Sequence, residues 1–114
     1  MTKIPKNTTS FEDVLAKQLL NDEYVEVYLS DVLNNDDPKL FLLAVQRIIK
    51  ARKIPINQLA KETGVTRQAL YNILSNKGNP EYTTLIKLMK AIGFGFMAIS
   101  ESKRKLVETN NSNP

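Results

Sequence analysis

The amino-acid sequence predicts a mainly α fold, a single bundle of short helices followed by one short C-terminal β-strand. Three observations carry that expectation. Apolar residues recur at helical spacing in six successive stretches between residues 11 and 92. Residues that start or stop helices stand between those stretches. Only over Phe94 to Ser100 does the pattern change to alternation. A length of 114 residues suits one domain, and a hydrophobic fraction of 42% is enough for one modest core.

The elements follow in order. Residues 1–10 read as a flexible N-terminus and residues 11–100 as the folded domain. Ser10, with Asp13 three positions on, marks the first helix start, and Phe11, Val14, Leu15 and Leu19 give it an apolar face. Asn21-Asp22 interrupts, with Asp22 placed to cap a second helix. Tyr24, Val25, Tyr28, Leu29, Val32 and Leu33 form its inner stripe, and Asn34-Asn35 ends it. Asp37 then caps a third helix with Pro38 at its first position. Leu40, Phe41, Ala44, Val45 and Ile48 run along it to about Arg52, where Ile54-Pro55 is the expected stop. A short helix over Ile56 to Thr63 precedes Gly64, and Thr66 caps a further helix to Leu74 with Ala69, Leu70, Ile73 and Leu74 inward. Gly78 and Pro80 mark a loop. The sixth helix begins between Glu81 and Thr83, buries Leu85, Leu88, Met89 and Ile92, and ends at Gly93.

Phe94 to Ser100 reads as a strand apolar on both faces. A lone strand cannot satisfy its own backbone groups, so it requires a partner in this chain or in a second copy. Phe94, Phe96, Met97 and Ile99 are therefore candidate dimerisation residues. Residues 101–114 read as a disordered tail that opens on a basic cluster, Lys103, Arg104 and Lys105.

Composition narrows the function classes. There is no Cys and no His. Thiol nucleophiles, disulfides, zinc sites built on those residues and imidazole general bases are thereby excluded. No Gly-rich phosphate loop is present, and the acidic pair Asp36-Asp37 is explained by the cap before Pro38. The expectation is a non-enzymatic protein with no metal and no cofactor. No apolar run is long enough to span a bilayer, and Met1 to Ser10 lacks the apolar centre of a signal peptide, so a soluble cytoplasmic protein without a membrane partner is expected. The net charge of +4 is unevenly spread. Residues 1–40 hold four Lys against eight Asp or Glu, a balance of −4, whereas residues 41–114 hold twelve Lys or Arg against four Glu, a balance of +8. The basic part suits a polyanion, and the acidic part a different partner.

The stretch from Leu59 to Tyr71 carries the functional signal. A helix-turn-helix needs a small residue where its helices cross, a tight turn, and apolar anchors before and within the second helix. Ala60, Gly64 and the trio Val65, Leu70 and Ile73 meet those needs. The second helix of such a pair projects polar side chains into the DNA major groove, chiefly from its N-terminal turns. Here those are Thr66, Arg67, Gln68, Tyr71 and Asn72. Arg bonds both acceptors of guanine, and Gln or Asn bonds adenine in the same two-pronged way. Tyr71 suits stacking on the sugar-phosphate backbone, or packing on the Gly78 loop. Asn57 and Gln58 at the start of the first helix, with Asn76 and Lys77 after the second, are candidate phosphate contacts.

Read together, these segments resemble the antidote proteins of bacterial addiction modules, the antitoxins with a lambda-repressor-like domain. The resemblance rests on Asp22-Glu23-Tyr24 with Tyr28-Leu29, on Asp37-Pro38-Lys39-Leu40-Phe41-Leu42-Leu43-Ala44 and on Leu59-Ala60-Lys61-Glu62-Thr63-Gly64. It continues through Leu70-Tyr71-Asn72-Ile73-Leu74-Ser75, Gly78-Asn79-Pro80 and Thr84-Leu85-Ile86-Lys87-Leu88-Met89-Lys90-Ala91-Ile92-Gly93. It covers roughly Leu20 to Ile99, with residues 37–93 as the repressor-like core. The resemblance implies an antitoxin of a type II module that binds a small basic, RelE-like toxin and represses its own operon as a homodimer on double-stranded operator DNA. The alternative is a stand-alone phage or host regulator with the same DNA chemistry and no toxin. One departure stands out: many relatives of the broader repressor fold open the first helix of the pair with Gln, and Ile56 stands there here, passing that phosphate contact to Asn57. No motif marks the toxin surface. By charge, the acidic N-terminal helices are the candidates, through Tyr24, Glu26 and Tyr28, although the two tyrosines equally suit bracing of the core.

Overall fold

The computed structural model describes residues 10–75 and 79–105. Among the described residues, the helices of eight residues or more are, in chain order, α1 (Phe11–Gln18), α2 (Asp22–Leu33), α3 (Pro38–Ala51), α4 (Ile56–Thr63), α5 (Arg67–Leu74) and α6 (Tyr82–Ala91). The mainly α expectation therefore holds. The expected flexible segment 1–9, the Asn76, Lys77 and Gly78 positions, and tail residues 106–114 lie outside the described residues.

Local side-chain chemistry sets most helix starts. Ser10 Oγ accepts the Asp13 N–H at 3.1 Å, Asp37 Oδ1 accepts the Lys39 N–H at 3.0 Å, and Thr66 Oγ1 accepts the Ala69 N–H at 3.0 Å. Each such cap satisfies a donor that the helix leaves open and contributes about 0.5–2 kcal/mol. At α2 the cap is Asn21, whose Oδ1 accepts the Tyr24 N–H at 2.9 Å, and Asp22 is the first helical residue. Asp22 was the expected cap; its carboxylate instead sits in the first turn, near the positive end of the helix.

Two helices end in the same hydrogen-bonded hook. At the end of α6, Gly93 adopts φ 97°, the Gly93 N–H bonds Lys90 O and the Phe94 N–H bonds Met89 O at 2.9 Å. At the end of α3, Lys53 takes the left-handed role with φ 55°, and the Ile54 N–H bonds Ile49 O at 3.1 Å. The helix thus stops at its own hook, two residues ahead of the proline that the sequence offers as the stop.

α3 is the central helix. It packs against α1, α2 and α5, while α4 packs against α5 and α6. One core joins them all, with Val25, Val45, Ile48, Leu59 and Leu70 wholly buried. The amphipathic periodicity explains this arrangement. α3 buries six residues along its length, so it can serve neighbours on several sides, whereas the shorter α1 buries only Leu15.

Two features differ from expectation at the C-terminus. The described residues include no β-strand, so Phe94 to Ser100 is not a strand within one chain. The segment is non-helical, and residues 95–99 make no backbone hydrogen bond among the described residues. Residues 101–105, expected to begin the tail, form a helical turn instead. Ser100 Oγ accepts the Lys103 N–H at 3.2 Å, and Arg104 pairs with Glu101 at 2.6 Å.

Candidate functional site

α4 and α5 form a tight two-helix unit. Ala60 is half-buried, and Leu59 and Leu70 are fully buried. Gly64 turns the chain with φ 75° and ψ 11°, its N–H closing on Ala60 O at 2.9 Å. A Cβ at Gly64 would meet no atom within 4 Å, so glycine is required there by backbone conformation and not by space. Thr63, the one buried polar residue among the described residues, turns its hydroxyl back onto Leu59 O at 2.7 Å and so needs no other partner. Val65 is half-buried between the helices, and Leu70, Ile73 and Leu74 anchor α5 in the core.

With that face buried, the rest of α5 is open to solvent. Arg67, Gln68, Tyr71 and Asn72 are all exposed, spaced so that they share one face. Gln68 Nε2 donates to Asn72 Oδ1 at 3.2 Å, which holds two amide side chains side by side. Thr66 is exposed too, but its hydroxyl oxygen is occupied as the cap. Ser75 extends the same face and escaped notice in the sequence, where it reads only as the residue after the helix; its hydroxyl bonds Asn72 O at 3.2 Å. Asn57 and Gln58 are exposed in the first turn of α4. Pro55 precedes that turn and no side chain caps it, so its N–H groups have no side-chain acceptor. Ile56 is half-buried and packs on the core, as an apolar residue there would.

The acidic helices hold a different constellation. Tyr24 and Tyr28 stack with ring centroids 6.3 Å apart, are half-buried and pack on the core. Arg47 donates to the Tyr28 hydroxyl at 3.4 Å and pairs with Glu12 at 3.2 Å. The Tyr28 contact is the main influence holding the Arg47 guanidinium above its usual pKa. Arg52 donates to Leu19 O at 2.8 Å, pairs with Asp22 at 2.9 Å, and lies 5.1 Å from the centre of the Phe94 ring. Two of the twelve cations in the basic part of the chain thus hold the acidic helices in place. Spacing gives no sign of this, because the partners lie 19 to 35 positions apart. Of the residues expected to meet a toxin, only Glu26 is fully exposed; Glu23, Val27, Ser30 and Asp31 are exposed around it.

The candidate dimerisation residues also divide. Phe94 is half-buried beneath Arg52, and Phe96 lies 6.1 Å from Phe41 between ring centres. Met97 is 87% exposed and Ile99 51% exposed. A groove of about 550 Å³ runs between them and α2, lined among others by Glu26, Leu29, Leu33 and Met89. No three acidic residues gather into a metal-binding group among the described residues, and no helix there is long and apolar enough to cross a membrane.

Comparison with known proteins places the chain. Residues 7–100 match the family model described as "Probable addiction module antidote protein". Over 82 residues, 72% of this chain and 82% of the relative, it is 37% identical to a Haemophilus influenzae protein that carries the description "Uncharacterized protein". No solved structure is matched. The match spans α1 to α6 and the segment after them, and the chain belongs to the family of probable addiction module antidote proteins.

Proposed function

We propose that this antidote protein is the antitoxin of a type II module: it neutralises a RelE-like toxin by protein–protein binding and represses its own operon as a lambda-repressor-like helix-turn-helix protein. The family membership supplies the toxin partner in general terms. The observation that carries the DNA half is the open polar face of α5, where Arg67, Gln68, Tyr71 and Asn72 stand clear of a buried opposite face. In this reading Arg67 and the Gln68–Asn72 pair read base edges, Thr66 and Tyr71 flank them, and Asn57, Gln58, Asn76 and Lys77 meet phosphates. The uncapped first turn of α4 adds N–H donors suited to a phosphate oxygen.

On the toxin side, Tyr24 and Tyr28 form a rigid backing, and Glu26 with Glu23 and Asp31 presents negative charge around the exposed Val27. A basic, RNA-cleaving protein complements that face. The test is co-expression with the product of the adjoining reading frame. The parent chain is expected to co-purify with that protein and to suppress its toxicity, and Glu26→Lys combined with Asp31→Lys to weaken both while operator binding persists. Operator binding without any protection from the neighbour's product would leave the stand-alone regulator as the correct reading. Loss of operator binding by the parent would end the repressor half.

A further inference from the structure

An apolar channel runs beside α2. Its first compartment, about 550 Å³, lies between α2 and the segment from Gly93 to Ile99, with Leu29, Leu33 and Met89 in its walls. Its second, about 700 Å³, lies where the end of α2 meets the start of α3, with Val32, Phe41 and Leu85 in its walls. Leu33 and Phe96 border both, so the two compartments meet at one ridge. Leu33 is 46% exposed and Phe96 38% exposed, so the chain's own core covers neither. Volumes of this size over a mainly apolar wall suit the anchoring side chains of a partner.

Charge selects among partners. α2 carries Asp22, Glu23, Glu26 and Asp31, and no Lys or Arg. Glu26 stands in the wall of the first compartment, and Glu23 lies one turn before it on the same side of α2. Asp36 stands in the wall of the second compartment, and Lys39 beside it is the one cation lining either compartment among the described residues. Glu23, Glu26 and Asp36 are exposed, and none of them forms a salt bridge among the described residues. A polyanion is repelled by carboxylates so placed, whereas a basic protein is drawn to them.

From these features we infer that the channel takes an amphipathic segment of the toxin, with large apolar side chains on either side of the Leu33–Phe96 ridge and Lys or Arg opposite Glu23 and Glu26. This rests on the toxin reading and deepens it: the carboxylates of α2 form the rim, and the apolar channel beside them holds the partner. Exposed ion pairs steer a partner and set its orientation, but buried anchors supply most of the hold. Leu33→Glu separates the two contributions. It adds a negative charge at an exposed position, which attraction to a basic partner alone would favour and an apolar anchor would oppose.

Calorimetric titration of the full chain with the product of the adjoining reading frame, refolded from the co-purified complex, tests it. Leu33→Glu and Ser30→Trp are expected to weaken binding by about tenfold or more. Ser30 is exposed and lines the first compartment, so a larger side chain there fills the channel and removes no contact. Phe11→Glu, at an exposed apolar residue of α1 that does not line the channel, is expected to stay within about twofold of the parent. Far-UV circular dichroism is expected to match the parent in all three, since each site is exposed. A second measurement needs no variant. Met89 is buried and borders the first compartment, so its methyl resonance in methionine-labelled protein is expected to shift when the toxin is added. A parent chain that forms no complex overturns the toxin reading and this inference together. Undiminished binding by Leu33→Glu and Ser30→Trp overturns the channel alone, as does an equal loss in Phe11→Glu or an unmoved Met89 resonance. A Met89 shift that follows the chain's own concentration without toxin overturns it too, because a second copy then fills the channel.

Discussion

Arginine has two distinct uses in this chain, and position decides which. Arg47 and Arg52 are partly covered, and they bond a tyrosine hydroxyl, a backbone carbonyl and two carboxylates. Arg67 is exposed on the first turn of α5 with no such partner among the described residues, which leaves its five donors open for a base pair. Replacement by alanine is expected to cost about 1–3 kcal/mol of operator affinity and to relax preference at one base pair. Fluorescence anisotropy at fixed salt, with the operator mutated one position at a time, measures both effects. An unchanged affinity would mean that another face of α5 meets DNA. The exposed positions of α5 could be found from the sequence because they alternate with the core positions of a short helix. The clamping role of Arg52 could not, because its three contacts come from different elements that only the folded chain brings together.

Backbone conformation explains where the helices were legible and where they were not. Caps are local, so Ser10, Asp37 and Thr66 could be identified from a few neighbouring residues. The choice between Asn21 and Asp22 turned on a single position, and both residue types cap well. The hook at Lys53 left no trace, since lysine rarely adopts positive φ. Two of the three left-handed positions among the described residues predict opposite outcomes. Gly64→Ala places a Cβ in free space but in the wrong conformation and is expected to lower stability by about 1 kcal/mol. Lys53→Gly removes the same penalty and is expected to raise stability by about 0.5–1 kcal/mol. Urea denaturation of the two variants against the parent checks the signs. The C-terminal strand shows the limit of periodicity. Alternation over residues 94–100 correctly excludes a helix, but a strand needs a hydrogen-bonded neighbour, and none forms among the described residues.

At the scale of the molecule, α3 joins the acidic helices to the rest of the core: α1 and α2 pack against it, and so does α5, whose exposed polar face belongs to a different element. Operator affinity is expected to fall steeply with salt as phosphate contacts release counterions, by about tenfold or more between ~50 and ~200 mM. Titration of a labelled operator across that range measures the slope, and a flat response would remove phosphate contact from the account. Two copies on DNA would present their reading helices to half-sites about 34 Å apart or a multiple of that. Arg52 joins two separate parts of the chain: it holds the start of α2 through Asp22 and the root of the C-terminal segment through Phe94. A ligand bound on α2 and another bound on the C-terminal segment would therefore press on one guanidinium. Thermodynamic linkage then makes the influence mutual: by whatever factor the first strengthens or weakens the hold on the second, the second alters the hold on the first by the same factor.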